Sequence, residues 1–165
     1  MVEQTAFAVD PSLFVPGLGA TLARCESPIE RELAIALLMF MGLRRQTINW
    51  DSKERPTVDF ALRAQHEVDT LDGGYRIDLL VSLRTDRAVY RLAVECDGHE
   101  FHEKTKEQAA RDKRRERALV AAGYSVLRFT GSEIHRDSGG CAAEIIGLLE
   151  SAAGIADGQA QKGGR

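Results

Sequence analysis

LAVECDGHEFHEKT, residues 92–105, starts as a buried strand and ends as a run of ionisable groups. Leu92, Ala93 and Val94 are apolar; Glu95, Cys96, Asp97, His99, Glu100, His102 and Glu103 follow. A carboxylate set against apolar packing is costly unless something binds it. Strand alternation puts Glu95 and Asp97 on one face and Cys96 on the other.

Working outward, the neighbouring stretches read as partners for this strand. YRIDLLVSL (75–83) is a second apolar run, and Asp78 sits inside it between Ile77 and Leu79. Phe60, Leu62, Ala64 and Val68 alternate with polar residues and predict another strand over about 60–68. Asp72-Gly73-Gly74 and the segment Arg84–Arg87 predict turns. These three strands should form an antiparallel meander, with Asp78 and Glu95 projecting together at one end of the sheet. Two carboxylates brought close repel, and their pKa values rise. A divalent cation relieves that repulsion, and Mg²⁺ favours one or two carboxylates with waters and phosphate oxygens. A cation there would polarise a phosphodiester and activate an attacking water. The alternative is structural: Asp78 pairs with Arg76 or Arg91, and Asp97-Gly98 is a plain turn.

Helices flank the strands. In SPIERELAIALLMFMG, Ser27 suits an N-cap, Pro28 the first helical position and Glu30 a capping box. Ile29, Leu33, Leu37 and Phe40 or Met41 recur at helical spacing, Gly42 lies near the stop, and 44–57 reads as a loop. Residues 103–122 read as a charged helix closed by Gly123. YSVLRF is a fourth strand, and a right-handed crossover would set it parallel to the third. Ala142, Ile145, Ile146 and Leu149 predict a last helix over 140–152. The expected organisation is a weakly ordered segment over 1–25, one α/β domain with a mixed four-stranded sheet over 26–152, and a disordered tail over 153–165.

Composition narrows the class. The 165 residues suffice for one domain with a real core, and 44% hydrophobic with 28% charged content is ordinary for a globular protein. The net charge of −3 announces no polyanion partner, yet residues 104–117 hold seven basic and three acidic side chains. On that helix Arg111, Arg114 and Arg115 share a face, and with Lys104 and Lys106 they suit contacts to phosphate. A solvated, internally paired face is the plain reading of the same charges. Cys25, Cys96 and Cys141 are too scattered for a disulfide framework and suit a reduced, cytoplasmic setting. MVEQTAFAVD lacks the pattern of a signal peptide, and the apolar run Leu33–Met41 is too short to span a bilayer.

Asp78 in RIDLLV, Glu95 in VECDGHEFH, and ARDKRRERALVAAGYSVLRF taken in order resemble the DUF559 family. That family is related to very-short-patch-repair endonucleases, within the PD-(D/E)XK restriction-endonuclease-like superfamily. The resemblance covers about residues 27–150. It implies an αβββαβ core and a metal-dependent endonuclease using Mg²⁺ or Mn²⁺, with DNA the expected substrate and RNA the alternative. It implies that Asp78 and Glu95 ligate the cation, that the Cys96 carbonyl adds a backbone ligand, and that Glu30 approaches from the first helix. Gln65 matches a glutamine often found in the first strand, where it would hold a water near the cation or bond backbone.

The superfamily pattern is Glu, any residue, Lys, and here Asp97 stands in the third place, as is common in DUF559-like sequences. The activating group is then unassigned, with His99, His102, Lys104 and Lys106 as candidates, the histidines as general base or acid. The missing lysine also motivates a rival reading, a nucleic-acid-binding module of the same fold without catalysis. A zinc site from Cys96, His99 and His102 is a third reading, weakened by the pleat and by the lack of a fourth ligand.

Overall fold

The computed structural model describes residues 18–50, 59–98 and 105–155. In chain order the elements are α1 (Leu18–Arg24), α2 (Pro28–Trp50), β1 (Asp59–Thr70), β2 (Gly73–Arg84), β3 (Val89–Asp97), α3 (Lys106–Ala121), β4 (Ser125–Thr130) and α4 (Gly131–Ala152). The strands form one mixed sheet in the order β1-β2-β3-β4. The first three pair antiparallel, and β4 runs parallel to β3 after the α3 crossover. This is the meander and parallel return that the strand pattern predicts.

Each face of the sheet is covered. Leu79, Val81, Leu83, Leu92, Val94 and Phe129 face α2 and α4, which bring Leu33, Leu37, Ile134, Ile145 and Leu149. On the other face Leu80 and Ala93 meet Leu119 of α3. Burial on both faces explains why β2 and β3 read as nearly continuous apolar runs.

Three boundaries differ from the sequence reading. Leu18–Arg24 is a short helix inside the segment 1–25 that reads as weakly ordered. Helix α2 runs through Gly42 to Trp50, so residues 44–50 of the expected loop are helical, and the rest of that stretch lies outside the described residues. Arg44 explains part of this: its Nε donates to Glu150 Oε1 on α4 at 2.8 Å, and a tertiary tie of that kind overrides a weak internal breaker. Helix α4 starts at Gly131, not 140. Thr130 accepts from the Glu133 N–H at 3.3 Å while Glu133 reaches back to the Thr130 N–H at 2.8 Å. The chain kinks at Asp137, whose Oδ1 accepts from the Gly140 N–H at 2.7 Å and so caps the second segment. The apolar pattern over 140–152 had located only that second segment.

The turns sit close to their expected places. The β1–β2 connection centres on Leu71-Asp72, with Thr70 paired to Gly73. Gly73 takes φ +124°, a conformation that glycine supplies without strain. At the far end of α3, Gly123 has φ +86°, and the Tyr124 N–H reaches the Leu119 carbonyl at 3.1 Å. The Gly123 N–H reaches Val120 at 3.0 Å, which completes a Schellman motif, and Tyr124 packs into the Leu119 cluster. No helix among the described residues is long and apolar enough to cross a membrane.

Candidate active site

Asp78 and Glu95 lie on neighbouring strands at the same level of the sheet. The last paired residues of β2 and β3 at this end are Leu79 and Val94, and one further step sets Asp78 opposite Glu95. The ladder opens there. The Cys96 N–H, instead of finding a strand carbonyl, donates to Asp78 Oδ2 at 2.8 Å. A side chain thus takes over one backbone hydrogen bond and fixes the carboxylate between the strands.

The strand geometry is irregular at this level. Along β2, Ile77 packs in the α3-side cluster while Leu79 packs on the α2/α4 side. Regular alternation would put both on one face. On β1 the change falls at Gln65, between Ala64 on the α2/α4 side and Val68 on the α3 side. Gln65 has φ +51°, the one non-glycine among the described residues in the left-handed region. A left-handed glutamine is uncommon and is held only where its surroundings over-determine it. Here its Nε2 donates to Glu30 Oε2 at 2.8 Å, while its Oε1 is buried without a hydrogen-bond partner.

Glu30 joins the helix start to this sheet end. Its carboxylate accepts from the Ser27 hydroxyl at 2.8 Å and the Glu26 N–H at 2.9 Å as well as from Gln65. Glu30 therefore caps the helix start and also reaches Gln65 on β1, although the back-bond goes to residue 26 and not to the cap residue's own N–H. Only 6% of Glu30 is exposed.

Glu95 is 5% exposed and faces α3. Arg115 Nη2 donates to its Oε1 at 2.8 Å, and the same nitrogen reaches the Arg76 carbonyl. Burial nevertheless pushes the Glu95 carboxyl up to about 7, against the opposing pull of Arg115 and with help from the Asp78 charge. Asp78 is also raised, first by burial; the Cys96 N–H opposes this and the Glu30 charge adds to it. Both carboxyls are thus raised first by burial and further by neighbouring carboxylate charge. Cys96 packs against the α2/α4 core, on the opposite face from Glu95, and its thiol is raised by burial. That orientation removes the thiol from any zinc set on the Glu95 face. Asp97 closes β3 in an exposed position.

The basic helix divides its charges. Arg114 donates twice to Asp72 of the hairpin, at 2.6 and 2.7 Å, and Arg115 turns inward. Lys106 and Arg111 are exposed. His99, His102 and Lys104 lie outside the described residues. Arg128 is a site neighbour that the sequence reading did not single out. It is the β4 partner of Glu95, its Nη1 lies 3.8 Å from Asp112 Oδ2, and its Nε is buried without a partner. Its signal was available, because a charge inside the apolar run YSVLRF is the same anomaly as Asp78 inside RIDLLV.

A sequence model of the family REase_MTES_1575, which is restriction-endonuclease-like, matches residues 59–149, more than half of the chain. The chain belongs to this family. The match spans Gln65, Asp78, Glu95, Asp97, Arg115 and Arg128, with Glu30 outside it. The mixed sheet flanked by helices is consistent with a restriction-endonuclease-like fold. Membership indicates a nuclease, a hydrolase with a nucleic-acid substrate. Restriction-endonuclease-like families usually use divalent metals. No curated protein and no solved structure matches the chain.

The donor set suits such a cation in kind. Asp78, Glu95 and the orphaned Gln65 Oε1 are hard oxygen donors, and the two carboxylates are short of compensating charge. Among the described residues no three His, Cys, Asp or Glu side chains are already arrayed as a metal cage. A site of two carboxylates completed by waters and phosphate oxygens is how Mg²⁺ is usually held.

Proposed function

We propose that this protein is a divalent-metal-dependent endonuclease that hydrolyses phosphodiester bonds in DNA. The observation that carries the reading is the Asp78–Glu95 pair. Two carboxylates on adjacent strands sit where the ladder opens, and Glu95 is raised to about 7 despite an arginine at 2.8 Å. A purely structural pair would not be kept so poorly compensated.

Asp78 and Glu95 would hold Mg²⁺ or Mn²⁺, with the Cys96 carbonyl as a further oxygen. When bound, the cation polarises the phosphodiester and lowers the pKa of the attacking water. Glu30 acts through Gln65, which it orients, and the free Gln65 oxygen suits a water donor. Asp97 and the histidines at 99 and 102 are the candidates for moving the proton. Lys104, Lys106, Arg111 and Arg114 supply phosphate contacts that depend on salt and not on base sequence. RIDLLV, VECDGHEFH and ARDKRRERALVAAGYSVLRF, taken in order, support a DUF559-like, very-short-patch-repair-like member. The unit that carries the activity is residues 26–152, and free Cys25, Cys96 and Cys141 support a cytoplasmic setting.

The test is nicking of supercoiled plasmid with Mg²⁺, Mn²⁺ or EDTA. Wild type should nick only with metal, and Asp78→Ala and Glu95→Ala should lose at least about a hundredfold in rate, the scale expected for groups that stabilise transition-state charge. If the variants cut as fast as wild type, the site is misassigned. Salt-sensitive DNA binding without turnover under either metal would identify a non-catalytic binding module instead.

A further inference from the structure

The position two residues after Glu95 carries an exposed aspartate, so the strand itself brings no cation to the site. The structure brings one from α3. Arg115 is 26% exposed at its side chain, against 64% for its neighbour Arg114. Its guanidinium is held between the Glu95 carboxylate and the Arg76 carbonyl, one acceptor on β3 and one on β2. It therefore stands across the opening between these strands, at the level of Asp78 and Glu95.

A stabilising role accounts poorly for this placement. The pair leaves Glu95 undercompensated, and a buried ion pair is weak evidence of stability in any case. Nor is Arg115 placed as a general phosphate contact on the outer face of the helix, since it is turned inward. An arginine remains protonated throughout the working pH range, so it cannot be the base that deprotonates water. What it can supply is a permanent, planar, multi-donor charge that suits phosphate oxygens.

We propose that Arg115 is a catalytic residue of this site, the fixed cation that takes the place of a strand lysine and contacts a non-bridging oxygen of the scissile phosphate. In the hydrolysis a water oxygen bonds to phosphorus as the bond from phosphorus to the leaving oxygen breaks. One proton leaves the water, and the leaving oxygen takes one up through solvent. Negative charge builds on the non-bridging oxygens in between, and Arg115 neutralises it. The Arg76 carbonyl keeps the guanidinium at the strand opening while Glu95 turns to its own ligand. This inference rests on the nuclease reading above.

The effects on metal binding and on catalysis should have opposite signs. A cation beside Glu95 repels a second cation, so removing it favours metal binding, whereas losing a charge-assisted donor slows the reaction. The experiment pairs Mn²⁺ titration by calorimetry, without DNA, with single-turnover plasmid nicking at saturating protein and Mn²⁺. Wild type, Arg115→Ala and Arg115→Lys are compared. Arg115→Ala is expected to bind Mn²⁺ at least as tightly as wild type and to nick about a hundredfold or more slower. Arg115→Lys should fall between, because it keeps the charge and loses the fork.

Wild-type rates in Arg115→Ala at saturation overturn the proposal, even if DNA affinity falls, because they leave Arg115 only a binding contact. Parallel loss of Mn²⁺ binding and nicking also overturns it, since Arg115 would then act only by holding Glu95. Wild type that binds DNA and never nicks removes the nuclease reading itself, and this inference with it. Mn²⁺ binding by Arg115→Ala also shows that the variant is folded.

Discussion

Glu95 combines an apolar strand, an arginine and a carboxylate neighbour, and burial outweighs the arginine. Its pKa moves from 4.5 to about 7 on folding, so between those pH values the folded chain holds a proton that the unfolded chain has released. Stability in EDTA should therefore fall as pH rises from about 4.5 to about 7, by no more than about 3 kcal/mol from this group. Asp78 is shifted in the same direction and adds to the slope. Glu95→Gln should flatten the profile and be more stable than wild type at pH 8. Urea unfolding at pH 5 and pH 8 checks this, and identical slopes in the two proteins would contradict it. These two acids were legible in the sequence because a charge inside an apolar run is visible without a structure. The left-handed Gln65 was not, since nothing in DFALRAQHEV announces a positive φ on a glutamine. The inward turn of Arg115 was equally hidden: helical spacing groups it with Arg111 and Arg114, and only the sheet end offers it acceptors.

At the scale of elements, local chemistry set most ends. Gly123 shows the reason at α3. A Cβ there would meet nothing within 4 Å, so space does not select glycine; the φ of +86° does. Gly123→Ala should cost about 1 kcal/mol in urea unfolding, purely through the backbone. No loss would mean that the α3 end relaxes into another cap. The start of α4 was also written in the sequence, as the capping box Thr130-Gly-Ser-Glu133, while the apolar period begins only past the kink at Asp137. At Gly140 a Cβ would come within 2.4 Å of Asp137 Oδ2, so a side chain there would displace the aspartate that caps the second segment. The extension of α2 to Trp50 was not legible, because the residues after Gly42 have no strong helical period of their own.

For the whole molecule, α2 and α4 form one layer that backs the sheet and so fixes the strand ends carrying the site. Arg44 and Glu150 tie these helices together. Glu150 is 3% exposed, while the Arg44 side chain keeps 40% of its surface. Arg44→Met would leave a buried carboxylate short of its guanidinium. A loss of about 2 kcal/mol is expected, below the roughly 3–5 typical of a fully buried pair, since water reaches this one. The double variant Arg44→Met, Glu150→Leu should recover most of the loss, and a double-mutant cycle by thermal unfolding measures it. If the losses simply add, the pair does not couple the helices.

The sequence by itself determined the order of the four strands and of the helices between and beside them from α2 onward, the antiparallel meander with its parallel return, and the two carboxylates at the sheet end. Periodicity, turn residues and caps are local, and a short stretch of chain carries each of them in full. Only the tertiary structure decided that Glu30 reaches the site through Gln65, that Cys96 N–H locks Asp78, and that Arg115 rather than Arg114 faces Glu95. Those contacts join residues far apart in the chain. Their geometry depends on where the strands turn over and part, and no local spacing encodes that.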